Sequence, residues 1–275
     1  MPVLEGAGHR IGYHQAGPED APLVIFAHCS LGHGGLWKGV MKALADEWRC
    51  IATDLPGHGQ SDRGDESIWL QDQAVNDVEA VASHFADGSA HLVGLSIGGA
   101  IMGRAAAKKP GLARSLAMLE PIYMQLLEKD RPDMAEANQR SMAGCMEACG
   151  EGRWRDGAKA FMESWGQPGQ FEKFPEQAKA AVGEAMKWIY RDFPMAHSEV
   201  DGQVSREDLA AIPAPVILMQ GERTHDSAKA VVTEVAKTIR QSSVVELAGA
   251  GHLSPVDDPM QVAEHLREFL REAQA

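Results

Sequence analysis

Cysteine is scarce in this chain, and the four present, Cys29, Cys50, Cys145 and Cys149, have no zinc-like spacing with histidine. A disulfide scaffold and a structural zinc site are therefore not expected, and the four are read as free buried thiols. Positive charge is also short: 26 Lys and Arg stand against 39 Asp and Glu, a formal net charge of -13. With no basic cluster, nucleic acid and anionic membrane surfaces are poor partners. Apolar runs of about 18 residues, the length that spans a bilayer, are absent. The start, Met1-Pro2-Val3-Leu4-Glu5-Gly6, lacks a charged segment followed by an apolar core. A cytoplasmic protein is the expectation. Internal repeats and low-complexity stretches are lacking too.

What is there is enough for one large α/β domain, or a core domain carrying an inserted smaller one. Arg10 to Ala16, Leu23 to His28, Cys50 to Thr53, Ala90 to Leu95, Ser115 to Leu119, Val216 to Met219 and Val244 to Leu247 read as strands. Several are continuous apolar runs, as in strands covered on both faces of a parallel sheet. Between and after them, Trp37 to Asp46, Asp72 to Phe85, Gly98 to Ala107, Ser227 to Arg240 and Pro259 to Ala273 have helical patterns. Residues 122–206 break the alternation, with helical stretches carrying methionine and tryptophan and no convincing strand. They are expected to form a helical cap over a core made of residues 1–121 and 207–275. Trp165, Met186 and Trp188 are the side chains expected to enclose an apolar ligand group.

The most informative motif is Gly94-Leu95-Ser96-Ile97-Gly98-Gly99, a serine between spaced glycines after a strand and before a helix. This is the pattern of a nucleophile elbow, in which the serine sits on a strained turn and glycines make room for it. A serine hydroxyl needs a base, and His252, in the loop after the last strand, stands at the sheet edge where Ser96 would be met. The oxyanion donors are expected to be the backbone N-H groups of Ile97 and of Ser30, the latter in the glycine-rich loop His28 to Gly35. His58 reads as structural, and the direction of His33 is left open.

Together these residues resemble the α/β-hydrolase superfamily over almost the whole chain. His28-Cys29-Ser30 resembles its His-Gly-X oxyanion loop with cysteine in place of glycine. Thr53-Asp54-Leu55-Pro56-Gly57-His58-Gly59-Gln60-Ser61-Asp62 is similar to the turn that follows its fourth strand. The resemblance implies a mostly parallel central sheet flanked by helices, with a helical cap inserted after strand 6. One departure concerns the acid of the triad: Gly221-Glu222-Arg223-Thr224 has threonine where the family often places aspartate. Glu120, ending a strand and held by Pro121, is the favoured replacement, and Asp226 the alternative.

The resemblance thus implies a serine hydrolase of small or medium carboxylic esters or lactones, with Ser96, His252 and Glu120 as triad. A faint likeness to 3-oxoadipate enol-lactone hydrolases rests on Cys29-Ser30-Leu31-Gly32 and His252-Leu253-Ser254. The alternatives are a carbon-carbon bond hydrolase or perhydrolase of the same fold, and a non-catalytic ligand-binding receptor. Dehalogenase and epoxide hydrolase chemistry is disfavoured, because those relatives carry aspartate at the elbow. The expected partner is a small-molecule substrate, a homodimer is compatible with the sequence, and no cofactor or metal is expected.

Overall fold

The computed structural model describes residues 2–6, 8–197 and 200–274. Within them one sheet contains β1 (Val3–Gly6), β2 (His9–Ala16), β3 (Leu23–Ala27), β4 (Arg49–Thr53), β5 (Ala90–Leu95), β6 (Ala113–Leu119), β7 (Val216–Gly221) and β8 (Ser243–Leu247). Across the sheet the order is β1, β2, β4, β3, β5, β6, β7, β8. The pairings of β2 with β1 and β4 are antiparallel, and all the others are parallel.

Burial explains why the central strands are continuous apolar runs. Along β3, Leu23, Ile25 and Ala27 lie on the face covered by the helices Leu70–Phe85 and Ile97–Lys108. Val24 and Phe26 point the other way, to the helices Lys38–Leu44 and Pro259–Glu272. Both faces of the strand are therefore dry, and alternation of apolar with polar residues disappears. At the edge, β8 is largely exposed, and its polar Ser243 and Glu246 break the run.

From β3 the chain moves to β4 on one side and then to β5 on the other. This reversal opens a crevice at the carboxyl ends of the parallel strands, where doubly wound sheets place their ligands. Between β6 and β7 the described residues contain helices and no strand. Side chains of these helices, Met142, Trp165, Met186 and Ile189 among them, continue the apolar core on the same sheet face as the helix Ile97–Lys108.

The strands expected from sequence are present, Ala90 to Leu95 with the same bounds and the others with an end shifted by one or two residues, while β1 was not anticipated. The four cysteines are buried free thiols, as expected. Among the described residues no helix is long and apolar enough to cross a membrane.

Candidate active site

Ser96 follows β5 directly and caps the helix Ile97–Lys108 with φ 59° and ψ -119°. A positive φ at a non-glycine residue is strained, and the surroundings hold it there. Its own N-H donates to the Leu119 carbonyl at 2.9 Å, tying the turn to the end of β6. The flanking glycines are required by contact distances: a Cβ on Gly94 would lie 2.2 Å from the Gly98 carbonyl oxygen, and one on Gly98 2.3 Å from that of Ala27. Ile97, as the first helical residue, has an N-H with no acceptor inside its helix. The Ser30 N-H has no acceptor among the described residues.

The loop carrying Ser30 is built around His28. Its Nδ1 donates to the Cys29 carbonyl at 2.7 Å, and its Nε2 accepts from the Leu55 N-H at 2.9 Å. Burial pushes the pKa of His28 well below the usual histidine value, so a neutral ring holds the ends of β3 and β4 together.

Glu120 immediately follows β6 with φ 46°, and is 2 % exposed. Its Oε2 lies 2.5 Å from Nδ1 of His252 and accepts from the Thr224 hydroxyl at 2.6 Å, while Oε1 accepts from the Gly221 N-H at 2.8 Å. Burial alone would raise its pKa. The opposing charge and hydrogen bond of His252, with the Gly221 and Thr224 donors, hold it below the ordinary carboxylate value instead.

Gly221 has a second role, since a Cβ there would lie 2.6 Å from the carbonyl oxygens of Ala250 and Gly251. Only glycine lets the loop after β7 approach the one bearing His252 this closely. Asp226, the other acid considered from sequence, is exposed at the first turn of the helix Asp226–Thr238. There its charge faces the helix dipole, and the Nδ1 of His252 is already taken by Glu120.

Two cavities share Ser30, Ser96, Phe161 and Trp165 as lining. The outer one, about 500 Å³, is also bordered by His252 and His33. The inner one, about 40 Å³, reaches Ile97 and the helices between β6 and β7. Trp165 joins those helices to the loops below, its ring centroid 4.4 Å from that of His225 and 5.1 Å from that of His252.

Met186 and Trp188, expected to enclose the ligand, line neither cavity. Met186 is buried in the core. Trp188 packs on the turn at Gly57, where a Cβ would lie 2.7 Å from its ring, and carries the Arg191 guanidinium 4.5 Å above its face. A helical apolar stripe indicates a buried face without saying whether core or cavity covers it, and Met142, Phe161, Trp165, Ile189 and Phe193 hold the cavity positions.

His58 is buried, with Nδ1 3.0 Å from the Pro56 carbonyl, in keeping with a structural role. His33 is exposed. With His14 and Asp54 it brings donor atoms within 4.8 Å of one another, a grouping of metal-ligand types that residues so far apart in sequence conceal. Those side chains also tie down backbone: Asp54 accepts from the N-H groups of Gly34 and Gln60 at 2.7 and 2.8 Å, and His33 from that of Gly35 at 3.1 Å. The roles of Thr224, Gly221 and His225 were not foreseen. The threonine at the usual acid position was the available signal, since it marks where a relocated carboxylate needs a donor.

Known proteins resemble both the sequence and the fold. The chain is 27 % identical over 243 residues to 2-(acetamidomethylene)succinate hydrolase of Mesorhizobium japonicum, covering 84 % of this chain and 81 % of that one. It is 28 % identical over 181 residues to a haloalkane dehalogenase of Bradyrhizobium diazoefficiens, covering 66 % of this chain but only 53 % of the relative. The fold matches that of an enol-lactonase from Burkholderia xenovorans with a TM-score of 0.72 and 19 % identity, over 98 % of this chain and 100 % of the other. The sequence profile of the alpha/beta hydrolase family matches residues 24–265, the stretch from β3 into the final helix that carries the elbow, Glu120 and His252, and the chain belongs to that family.

Proposed function

We propose that this protein is a serine hydrolase of carboxylic esters or lactones, with Ser96 as nucleophile, His252 as base and Glu120 as the acid that orients it. The observation carrying this reading is the 2.5 Å contact between Glu120 Oε2 and His252 Nδ1, on the edge of a cavity that also exposes Ser96. With Glu120 ionised, Nδ1 carries the proton and Nε2 presents a lone pair, the tautomer a general base needs.

In the first step the Ser96 oxygen attacks the carbonyl carbon as Nε2 of His252 takes the hydroxyl proton. The resulting oxyanion faces the N-H groups of Ile97 and Ser30, and the dipole of the helix Ile97–Lys108 adds to their effect. Protonated His252 then passes its proton to the leaving alcohol oxygen, and an acyl group remains on Ser96. Water, deprotonated by the same histidine, attacks this ester and releases the acid. For a lactone the leaving oxygen stays on the acyl chain, and water frees a hydroxy acid.

Serine at the elbow, where dehalogenases of this fold use aspartate, favours acyl transfer over halide displacement. Residues 122–206 act in this reading as a cap whose Phe161 and Trp165 wall the reacting bond. The test is covalent labelling by a fluorophosphonate together with turnover of a p-nitrophenyl ester. Labelling of Ser96 and loss of both signals in Ser96→Ala are expected. An unlabelled serine and no turnover across an ester and lactone series would favour a ligand-binding role, and cleavage of a diketone but no ester would favour carbon-carbon hydrolysis.

A further inference from the structure

The two cavities meet at Ser96 and Ser30 and differ in what else borders them. His252 lines the outer cavity and not the inner one, whereas Ile97 lines the inner cavity and not the outer one. This difference sorts the four groups around a carbonyl carbon attacked by Ser96. One bond goes to the Ser96 oxygen, and one to the oxyanion beside the N-H groups of Ile97 and Ser30. The leaving oxygen has to receive its proton from His252, so the alcohol half of an ester lies on the outer side. The acyl chain takes the remaining direction, into the inner cavity.

Size and surface then limit each half. At about 10–15 Å³ for each water-sized group, the inner volume of about 40 Å³ holds roughly three of them, against about 500 Å³ outside. The inner walls are side chains of Met142, Phe161, Trp165, Ile189 and Phe193. The polar side chains beside them are engaged or covered. Asp192 accepts from the Gln71 backbone and side-chain N-H groups at 3.5 and 2.9 Å, and Nδ1 of His197 donates to the Phe193 carbonyl at 3.1 Å. The Asn138 Oδ1 is covered by its neighbours. Lys and Arg are absent from the lining of both cavities, so a carboxylate at the end of the acyl chain would be buried without a cation.

We infer that the substrate is an ester of unequal halves, with a short, uncharged aliphatic acyl group in the inner cavity and a larger alcohol in the outer one. The inference rests on the serine hydrolase reading and names the substrate class of that site. Met142 and Ile189, which border the inner cavity alone, set the length of the acyl group. Carbons that fit gain from burial, and each carbon beyond the end wall has to displace packed side chains.

The experiment sets two isomeric esters in competition, octyl acetate and ethyl octanoate, whose leaving groups are primary alcohols of similar basicity. Their relative consumption in one mixture gives the ratio of kcat/KM directly, and octyl acetate is expected to be cleaved faster by about tenfold or more. Among p-nitrophenyl esters, butyrate should exceed octanoate by a similar factor, with hemisuccinate slower than butyrate. In Met142→Ala and Ile189→Ala, which deepen the inner cavity, the octyl acetate preference should fall, and the milder Ile189→Val should move it the same way if the larger truncations fail to fold. Equal cleavage of the two isomers, a preference for ethyl octanoate, hemisuccinate turned over as fast as butyrate, or a preference unchanged in every folded variant would overturn the inference while leaving the hydrolase reading in place. Cleavage of no ester at all would overturn the hydrolase reading and this inference with it.

Discussion

At Glu120 a carboxylate is 2 % exposed on a backbone with φ 46°, two unfavourable conditions that its bonds to His252, Thr224 and Gly221 offset. If orienting His252 is what this arrangement does, Glu120→Gln should lower kcat by something on the order of 10³ to 10⁴ with the fold intact. Asp226→Asn should change little, because that side chain is exposed on a helix turn. Steady-state kinetics with circular dichroism on both variants checks this, and the reverse ranking would reassign the acid. Ser96 and His252 were legible because an elbow motif and a strand-end loop are local patterns. Glu120 was legible through its proline and through the missing aspartate. Thr224 was not, since its partner lies 104 residues away and only the folded sheet brings the two together.

Among elements, the elbow between β5 and the helix Ile97–Lys108 tolerates the least change. A Cβ at position 98 would meet two backbone carbonyls, at 2.3 and 2.6 Å, neither of which can move without displacing the end of β3. Gly98→Ala should therefore cost about 1–3 kcal/mol, read as a drop in Tm of several degrees, together with most of the activity. An unchanged Tm would mean that the turn is looser than described. The central strands were readable from sequence because burial on both faces makes them uninterrupted apolar runs. Pattern is a weaker guide for β1, four residues with only Leu4 buried, and for the short helix Ser254–Asp257 after His252. Helical periodicity found the helices between β6 and β7, yet put Met186 and Trp188 in the pocket. Which neighbour covers an apolar face is decided by tertiary packing.

Over the whole molecule, buried histidines contribute to the loss of stability in acid. Desolvation lowers the pKa of His28 and His58, and that of His91 to about 4. Because the folded values lie below those of the unfolded chain, the folded state binds fewer protons as pH drops. Their stabilising contribution is complete above the unfolded value near 6.5 and is lost as pH falls toward the folded values. Each such group should cost about 1.4 kcal/mol per pH unit within that window. Thermal unfolding followed from pH 7.5 to 5 should show Tm falling increasingly steeply below pH 6.5, and a flat Tm would contradict neutral buried rings. Attack by Ser96 also requires a neutral His252 to accept its proton. The same requirement makes the central claim accessible to direct measurement, because deacylation needs the neutral base and stalls when the reaction is quenched in acid. Mass spectrometry of protein quenched in acid during turnover of p-nitrophenyl acetate should find one acetyl group on the peptide containing Ser96 and none in Ser96→Ala. Hydrolysis that continues undiminished in Ser96→Ala, with no acetyl group on Ser96 of the unmodified enzyme, would contradict it.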